Sequence, residues 1–472
     1  MKNLLTSILI ICLFNIMNTL NIEGTTIATE CPLANADQEQ IIANYCKTGQ
    51  DVTEGGTSKI FKYQIQGENG QVRKMIIKRM PYDQTFEEKL YTNEIQIMKN
   101  QKPDTNMINV EEGNCFYKGK YVYIIMDELN DNLLFKLYYG NEFKYSTSML
   151  WRMMESYQMI LALIDFHNQG YIHSDIKSEN FFLRGNFEAI LADFGFSEPL
   201  ESELTKTDAN GYKYTEKGVF CGTMGFISNE VHRLNYYKET DVYALGVTLL
   251  EMFFVTNSGE MNDVSDKYLK NTIGAVCRKS DPFQTDHRLG LFCAGFYNLA
   301  MKMISTNVKD RPTGDELKNL LDEALTKTFD ALPKFVAKVE EKKASSKYQG
   351  NAFAQQIFEK LIKGVDLQDF MNDFVQEMNS NTEGGFTFTE NKLRLIFRLK
   401  PFFERLGDNG AGVLGKPINE IYLEVAEGNE NIREEFKAAF IGAGIDQNEI
   451  KAQMQDISTQ INDQLGQLKF LI

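Results

Sequence analysis

The sequence predicts an α+β protein in which a small antiparallel sheet precedes a larger helical lobe, with a further α-helical region at the C-terminal end. Three observations support this prediction. Residues 51–78 alternate in polarity around a hairpin turn, as paired strands do. From residue 148 onward, long apolar-rich segments with helical spacing dominate. Beyond about residue 328 the chain becomes rich in Lys and Glu, and short helices are predicted from there to Ile472.

The elements of the first lobe follow in order. Residues 59–65 and 72–78 form two predicted strands, and Asn69-Gly70 between them supplies the positive-φ positions of a tight hairpin turn. Residues 87–99 have helical spacing. Two more strands join at Lys118-Gly119, and the second is the apolar run 121–126.

The helical lobe begins with a long helix predicted over residues 148–168, which ends near Gly170. Further helices are predicted over 241–254 and near 296–304, and Pro312-Thr313 is suited to open another at residue 314. Residues 333–345 are rich in Lys and Glu, which predicts a linker or an exposed helix.

Composition limits the classes of partner. The chain has 472 residues, of which 43% are hydrophobic and 24% charged, so it can bury a full core and is typical of globular proteins. Its formal net charge of −15 argues against a nucleic-acid or anionic-membrane surface. A solvated acidic exterior explains the charge equally well.

The first residues resemble a targeting segment. Lys2 precedes an apolar run over residues 4–17, and small residues follow at Thr26-Ile27-Ala28. This order predicts a secretory signal peptide over residues 1–28 and a protein of the secretory pathway or a secreted one. A run of about 14 residues is short for a spanning helix, which needs roughly 20. An uncleaved signal anchor and a buried N-terminal helix are the alternatives.

Six cysteines lie outside the predicted signal peptide, so disulfides are possible. Cys31 and Cys46 flank a short segment before the first strand and are the first candidate pair, with ordinary thiols as the alternative. The sequence has no CxxC spacing, which argues against structural zinc.

A set of motifs carries the chemistry. Residues 173–180, HSDIKSEN, resemble the catalytic loop H-R-D-x-K-x-x-N of the eukaryotic protein kinases, and Asp193-Phe194-Gly195 matches their D-F-G. Residues 75–78, MIIK, resemble the third-strand V-A-I-K, with Glu94 as the ion-pair partner of its lysine. Further matches to the family lie in the large lobe, at Glu230, residues 241–246 and residues 310–313.

The resemblance covers roughly residues 50–327 and implies a bilobal protein-kinase-like fold, with a small antiparallel-sheet N-lobe and a helical C-lobe. On this basis the kinase domain is assigned to residues 51–327. An N-terminal extension over 29–50 precedes it. A charged linker over 328–345 and a helical C-terminal domain of unknown function over 346–472 follow it.

The resemblance also implies roles for single residues. Asp175 would orient the attacking hydroxyl and accept its proton, and Lys177 would face the transferring phosphate. Asn180 and Asp193 offer oxygen ligands of the kind that Mg²⁺ (or Mn²⁺) prefers. The residues implied to bind ATP are Gly55, Gly56, Lys78, Glu94, Asp127 and Leu129.

Lys177 and Gly222-Thr223 are typical of the serine/threonine branch. The resemblance therefore predicts a serine/threonine kinase that acts on protein substrates and not on nucleic acid. We expect a monomer, and a membrane partner only if the N-terminal segment is an uncleaved anchor.

Two departures from the family pattern bear on activity. The glycine-rich loop should be G-x-G-x-x-G, but residues 53–58, TEGGTS, keep only Gly55 and Gly56, so weaker nucleotide binding is expected. A pseudokinase that serves as a scaffold is thus an alternative, which the complete set of reactive residues opposes. A small-molecule kinase is a third hypothesis, opposed by Gly222-Thr223, Glu230 and Arg311, which suit a protein-substrate groove.

The second departure is Ser174, which replaces the arginine that usually precedes the catalytic aspartate. In the family that arginine meets a phosphorylated residue of the activation loop, so loop phosphorylation is not expected to be the main switch here. Alanine at Thr205, Thr207 and Thr215 would test this hypothesis. His173 is expected to pack beneath the loop, and Phe194 to be a core and switch residue. Asp241 and Arg311 are expected to be scaffold residues, and by resemblance Arg311 pairs with Glu230.

Residues 379–390, NSNTEGGFTFTE, resemble an EF-hand loop, with oxygen-bearing side chains at positions 1, 3 and 5, glycine at 6 and glutamate at 12. Met371, Val375 and Met378 fit an apolar stripe on the preceding helix. A weak Ca²⁺ site and a polar turn between helices are the two interpretations.

Overall fold

The structure is a computed structural model, and it describes residues 34–46, 51–54, 58–66, 72–81, 86–101, 105–110, 114–129, 132–133, 136, 148–202, 204–254, 273–279, 281–284, 287–379, 395, 398–399, 401–403 and 405. Several sequence-based predictions lie outside these residues. They include the signal peptide over 1–28, the glycine pair Gly55-Gly56, the hairpin turn at Asn69-Gly70 and the proposed calcium loop beyond its first residue, Asn379. The helices predicted from residue 406 to Ile472 also lie outside them.

The first lobe is a five-stranded antiparallel sheet with the strand order β1-β2-β3-β5-β4. Its strands are β1 (Asp51–Glu54), β2 (Lys59–Gln66), β3 (Val72–Pro81), β4 (Cys115–Lys118) and β5 (Tyr121–Asp127). Lys78 of β3 lies opposite Ile60 of β2 and Ile124 of β5, so a central strand presents it. The predicted sheet lobe is confirmed.

Two helices accompany this sheet. Helix α1 (Ala36–Ile41) begins at Asn35, whose side chain accepts a hydrogen bond from the backbone N–H of Gln38. Helix α2 (Phe86–Asn100) follows β3 and confirms the helix predicted over residues 87–99. Glu94, Ile95, Ile97 and Met98 of α2 are buried, so this face of the helix packs into the molecule.

The second lobe is helical, as predicted. Its helices are α3 (Met149–Asn168), α4 (Lys238–Phe254), α5 (Gly274–Cys277), α6 (His287–Ala294), α7 (Phe296–Met303) and α8 (Gly314–Ala344). Ser148 caps α3 by accepting a 3.2 Å hydrogen bond from the N–H of Trp151. Gly246 lets α4 approach α7 closely, because a Cβ there would lie 2.8 Å from side-chain atoms of Met303 and Ile304.

Seven short strands lie among the described residues between α3 and α4 in the chain. They are β6 (Tyr171–Ile172), β7 (Phe181–Arg184), β8 (Glu188–Leu191), β9 (Glu198–Pro199), β10 (Thr205–Thr207), β11 (Lys213–Glu216) and β12 (Asn235–Tyr236). Strand β6 pairs with β9, β7 pairs with β8, and β10, β11 and β12 form a three-stranded sheet.

The predicted charged linker over 328–345 is helical up to Ala344. Helix α8 continues through Pro333 without interruption. Phe335 and Val339 are fully buried, because this part of α8 packs against the molecule while its charged side chains remain outside. The domain boundaries themselves stay a prediction.

The C-terminal region packs on the helical lobe. It contains α9 (Ala352–Lys363), α10 (Leu367–Asn379) and short helical pieces within residues 395–405. The Phe187 ring lies 5.5 Å from Phe374, and the Tyr157 ring lies 5.8 Å from Phe402. The carbonyl of Gly364 accepts hydrogen bonds from the N–H groups at the start of α3. The residues described here are thus continuous with the main core.

A disulfide joins Cys277 of α5 to Cys293 of α6, a pairing that the sequence did not indicate. Cys115 is also disulfide-bonded, whereas Cys221 is a buried free thiol. The candidate pair of Cys31 and Cys46 involves side chains outside the described part of the chain. Among the described helices, none combines the length and apolar character needed to cross a bilayer.

Candidate active site

Asp241 organises the loop that carries the site. This α4 residue is buried, and its carboxylate accepts backbone hydrogen bonds from His173 at 2.7 Å and Ser174 at 2.8 Å. Ser174 has a left-handed backbone with φ of 71°, a strained conformation for a non-glycine residue that these bonds hold in place. Burial is the largest single effect and raises the pKa of Asp241, but the contacts with His167 and His173 together lower it more, so the net pKa is below its usual value.

Asp175 lies at the centre of a polar network in which its carboxylate contacts three other side chains. Its Oδ1 accepts a hydrogen bond of 2.7 Å from the Thr223 hydroxyl, and its Oδ2 lies 3.0 Å from Nζ of Lys177. The Lys177 ammonium also donates to Thr223 Oγ1 at 2.8 Å. Asn180 donates from Nδ2 to the backbone carbonyl of Asp175 at 2.7 Å and to its Oδ2 at 3.2 Å. The structure therefore brings together the three predicted residues Asp175, Lys177 and Asn180.

Asp193 is held next to this network by the β7–β8 hairpin. Asn180 immediately precedes β7, and its carbonyl accepts from the N–H of Ala192 at 2.9 Å, one residue before Asp193. Asp193 itself has a left-handed backbone with φ of 64° and an exposed side chain. The neighbouring Phe194 is fully buried, with its ring 5.2 Å from that of Phe166. The predicted packing role of Phe194 is confirmed.

His173 is likewise a packing residue. It is fully buried, its ring lies 5.7 Å from that of Phe194, and its Nε2 lies 3.2 Å from the carbonyl of Ala192. Burial lowers the pKa of His173, which favours the neutral imidazole.

Lys78 and Glu94 form the predicted ion pair between β3 and α2. Both are well covered, with 15% of the lysine side chain and 4% of the glutamate side chain exposed. Burial raises the pKa of Glu94, and Lys78 partly offsets this. The charge of Asp193 raises the same pKa further, so Asp193 lies within electrostatic range of the pair.

The donor set fits ATP with Mg²⁺ or Mn²⁺. Asn180 uses its amide nitrogen for both contacts with Asp175, which leaves its amide oxygen for a cation. The exposed carboxylate of Asp193 is the second hard oxygen donor. Two protein donors are enough for Mg²⁺, because this ion usually takes its remaining ligands from water and phosphate.

The other residues predicted to bind nucleotide are less informative. Asp127 ends β5 opposite Met75 of β3, and Leu129 packs partly buried against the core. Gly55 and Gly56 lie outside the described residues. For these four residues, nucleotide binding stays a prediction.

A predicted scaffold contact is also confirmed. Arg311 donates from both terminal nitrogens to the carboxylate of Glu230, and the Nη2–Oε2 distance is 3.2 Å. The guanidinium is fully buried and lies 4.9 Å from the centre of the Tyr243 ring. Burial raises the pKa of Glu230, but the hydrogen bonds and charge of Arg311, together with Ser228, lower it more. The net pKa of this carboxyl is therefore below its usual value. This pair anchors the end of the segment that follows Asp193.

Sequence reasoning missed several buried polar residues close to the site. Lys217 and Glu198 are buried charged residues between Asp193 and Glu230, and Asn93 of α2 contacts Glu198. No motif marks them. A lysine in a polar stretch of sequence is usually a solvated charge, and only the folded chain shows that Lys217 is buried.

Comparison with known proteins agrees with this geometry. The model of the family described as the protein kinase domain matches residues 46–324, more than half of the chain. The chain is 27% identical over 280 residues to the serine/threonine-protein kinase shk1/pak1 of Schizosaccharomyces pombe, covering 58% of this chain and 37% of that protein. It is 26% identical over 272 residues to the serine/threonine-protein kinase Nek1 of Mus musculus, covering 56% of this chain and 20% of Nek1.

A shorter match is slightly more similar. Over 165 residues the chain is 32% identical to a putative leucine-rich repeat receptor-like serine/threonine-protein kinase of Arabidopsis thaliana, covering 33% of this chain and 17% of that protein. The chain therefore spans well under half the length of each of these three relatives.

Proposed function

Because this chain belongs to the protein kinase domain family, we propose that it is a catalytically active kinase that transfers the γ-phosphate of ATP to serine and threonine hydroxyls of protein substrates. The observation that carries the proposal is the network in which Asp175 contacts Lys177, Asn180 and Thr223 within 2.7–3.2 Å. These side chains come from the catalytic loop and from the segment after Asp193, so they meet only when both are correctly folded.

The chain's own residues would share the work as follows. Asp175 orients the substrate hydroxyl and accepts its proton as the new oxygen–phosphorus bond forms and the bond to the ADP leaving group breaks. Lys177 offsets negative charge on the transferring group. Lys78 binds the phosphate chain, and Glu94 holds its ammonium in place. Asn180 and Asp193 hold the divalent cation, which neutralises phosphate charge.

The alternative is a pseudokinase that binds partners without transferring phosphate. The degenerate sequence of residues 53–58 favours it, because non-glycine side chains there restrict how closely the backbone can approach phosphates. The paired Lys78 and Glu94 and the ordered Asp175 network favour an active enzyme. A scaffold has no need for either arrangement.

The deciding experiment is transfer by the full chain to a serine/threonine peptide library with ATP and Mg²⁺ or Mn²⁺. Asp175→Asn keeps the shape of the side chain but removes the proton acceptor, so it serves as the matched control. Transfer by the wild type that falls by about 10²-fold or more in the control supports the proposal. Absence of transfer, together with no ATP-dependent thermal shift, would establish the pseudokinase instead.

We also propose that the protein matures in the secretory pathway and acts as a monomer. Two observations support the first part: the signal-like residues 1–28, and the disulfide between Cys277 and Cys293, since such bonds persist in oxidising compartments. N-terminal sequencing of the protein from the medium of eukaryotic cells tests it. A new N-terminus near Thr29 supports cleavage, whereas an intact, membrane-bound chain would indicate the anchor.

A further inference from the structure

The segment between Asp193 and Glu230, here called the activation segment, is ordered by a sheet of its own. Strands β10 and β11 form a hairpin, and β11 pairs with β12, where Thr215 lies opposite Tyr236. The hairpin turn is closed by Asp208, whose carboxylate accepts from the N–H groups of Asn210 and Tyr212. Since β12 directly precedes α4, the middle of the segment is tied to the base of the helical lobe.

Lys217, just after β11, contacts both the beginning of this segment and β12, which follows the segment. Only 5% of the residue is exposed. Its ammonium donates a hydrogen bond to the carbonyl of Phe196, next to the Asp193-Phe194-Gly195 motif, and lies 4.9 Å from the centre of the Tyr236 ring. A buried ammonium is costly unless it is compensated, so these two contacts fix its position.

Glu198 connects the same segment to α2. It lies on β9 opposite Ile172, the residue before the catalytic loop, and it is 8% exposed. Its Oε2 accepts a hydrogen bond of 3.3 Å from Nδ2 of Asn93. Asn93 is adjacent to Glu94, the partner of Lys78. The contact therefore connects β9 to the part of α2 that carries Glu94.

Lys217 and Glu198 both act electrostatically on Cys221. Burial raises the pKa of the Cys221 thiol, the Lys217 charge lowers it, and the Glu198 charge raises it, so both charges lie within electrostatic range of that thiol. Cys221 immediately precedes Gly222-Thr223, and Thr223 contacts Asp175. The Tyr236 ring under Lys217 provides the direct contact, because its hydroxyl accepts a hydrogen bond of 2.6 Å from the N–H of Cys221 and donates to the Cys221 carbonyl at 3.0 Å.

By contrast, position 174 provides no cation that could bind a phosphate. The backbone N–H of Ser174 donates to Asp241, and its hydroxyl is buried without a hydrogen-bond partner among the described residues. The hydroxyl of Thr205 is already used inside the segment, where it donates to the carbonyl of Leu200 at 2.6 Å.

We propose that Lys217 and Glu198 are positioning residues that hold the activation segment in its ordered arrangement without phosphorylation. The proposal rests on the kinase activity proposed above. Lys217 joins the beginning of the segment to β12, and Glu198 joins it to α2 through Asn93. Together they keep Thr223 on Asp175, a task for which the family uses a phosphate bound by an arginine.

Kinetics of full-length variants, corrected for the folded fraction, provide the first test. Lys217→Met keeps the apolar stem but removes the charge, and kcat should fall by about 10-fold or more while the KM for ATP changes by less than about threefold. Lys217→Arg should recover most of kcat, because it restores the donor. Lys213→Met, on exposed β11, is the matched control and should behave as the wild type.

The wild type should also keep its activity, within about twofold, after phosphatase treatment that mass spectrometry shows to be complete. A loss of about 10-fold or more on dephosphorylation would overturn the proposal. So would an unchanged kcat in Lys217→Met.

Hydrogen exchange separates this proposal from the question of activity. Amides of residues 196–217 should exchange slowly in the unphosphorylated wild type and at least about 10-fold faster in Lys217→Met and Glu198→Gln. Equal exchange in these variants and the wild type would overturn the positioning role, whether or not the wild type transfers phosphate. Slow wild-type exchange that both variants lose, in a chain without transfer, would refute only the proposed function.

Discussion

The Thr223 hydroxyl donates a hydrogen bond of 2.7 Å to Oδ1 of Asp175, although the two residues are 48 positions apart in the chain. The same hydroxyl accepts from Lys177 at 2.8 Å. Thr223 thus connects a cation and an anion of the catalytic loop through one oxygen atom. This contact limits how the Asp175 carboxylate can rotate, which is what a general base that must meet an incoming hydroxyl requires.

The first prediction concerns this contact. Thr223→Val removes the hydroxyl but keeps the shape, and kcat for peptide phosphorylation should fall by about 10- to 100-fold because Asp175 loses its orienting donor. Thr223→Ser keeps the oxygen and should retain most of the activity. Equal rates for Thr223→Val and the wild type in steady-state assays would contradict the orienting role.

The second prediction concerns the ion pair between Lys78 of β3 and Glu94 of α2. Lys78→Met removes the cation that would bind the phosphate chain, and kcat should fall by about 10²-fold or more. The pKa of Glu94 should rise further above its usual value, since Lys78 is the partner that lowers it. ATP titrations and kinetics measure the first effect. Unchanged transfer would show that phosphate binding does not depend on Lys78.

The sequence motifs predicted which of these charged and polar side chains lie together, but they did not predict the contacts between distant segments. Lys78, Glu94, Asp175 and Asn180 belong to short patterns whose spacing is fixed by one strand, one helix or one loop, so the sequence alone identified them. The fold class was accessible for a similar reason, because strand and helix periodicities are local.

Other contacts join distant segments and have no local pattern. The disulfide between Cys277 and Cys293 could not be distinguished from other pairings by counting cysteines. Glu377 accepts hydrogen bonds from Asn186, 191 positions away, and no sequence pattern around either residue predicts this contact. The Lys and Glu content of residues 333–345 predicted a linker or an exposed helix. The structure shows a helix, and Phe335 and Val339 pack it against the core.

The third prediction concerns the buried pair of Arg311 and Glu230. Arg311→Ala leaves an ionised carboxylate without its partner and should lower the free energy of unfolding by about 3–5 kcal/mol. Arg311→Lys should restore only part of this loss, since a lysine cannot form the two-pronged contact. Denaturant unfolding measures both values, and a loss below about 1 kcal/mol in Arg311→Ala would count against the pair as a main anchor.

The fourth prediction is a pH dependence. Burial raises the pKa of Glu251 from 4.5 to about 7, and this residue accepts a hydrogen bond from Ser178 of the catalytic loop. Between these two values the folded chain binds more protons than the unfolded chain. The stabilising effect is therefore fully present below about pH 4.5 and is lost as the pH rises to about 7.

The loss associated with Glu251 should be on the order of 3 kcal/mol. Glu251→Gln should flatten the fall in stability over this range, whereas Glu340→Gln on the exposed surface should leave the profile unchanged. Chemical unfolding at several pH values measures it. Parallel profiles for the wild type and Glu251→Gln would contradict the assignment.

The fifth prediction concerns the C-terminal region. Phe374 is 2% exposed, and its ring lies 4.8 Å from that of Phe403, so Phe374→Ala should cost about 3–5 kcal/mol of stability. Phe353→Ala is the control, because Phe353 is 70% exposed and its loss should stay within about 0.5 kcal/mol. A separate early unfolding transition in Phe374→Ala, with the main transition unchanged, would show that the C-terminal region does not stabilise the helical lobe.

Trp151 is the only tryptophan in the chain, and it is fully buried at the boundary between the helical lobe and the C-terminal region. Its indole N–H donates to the carbonyl of Asn186 at 2.8 Å, the same residue that donates to Glu377 of α10. Tryptophan fluorescence of the unlabelled protein therefore comes from a single site on this boundary. A red shift of its emission would report the undocking of α10 in real time, without a dye and without an assay of phosphate transfer.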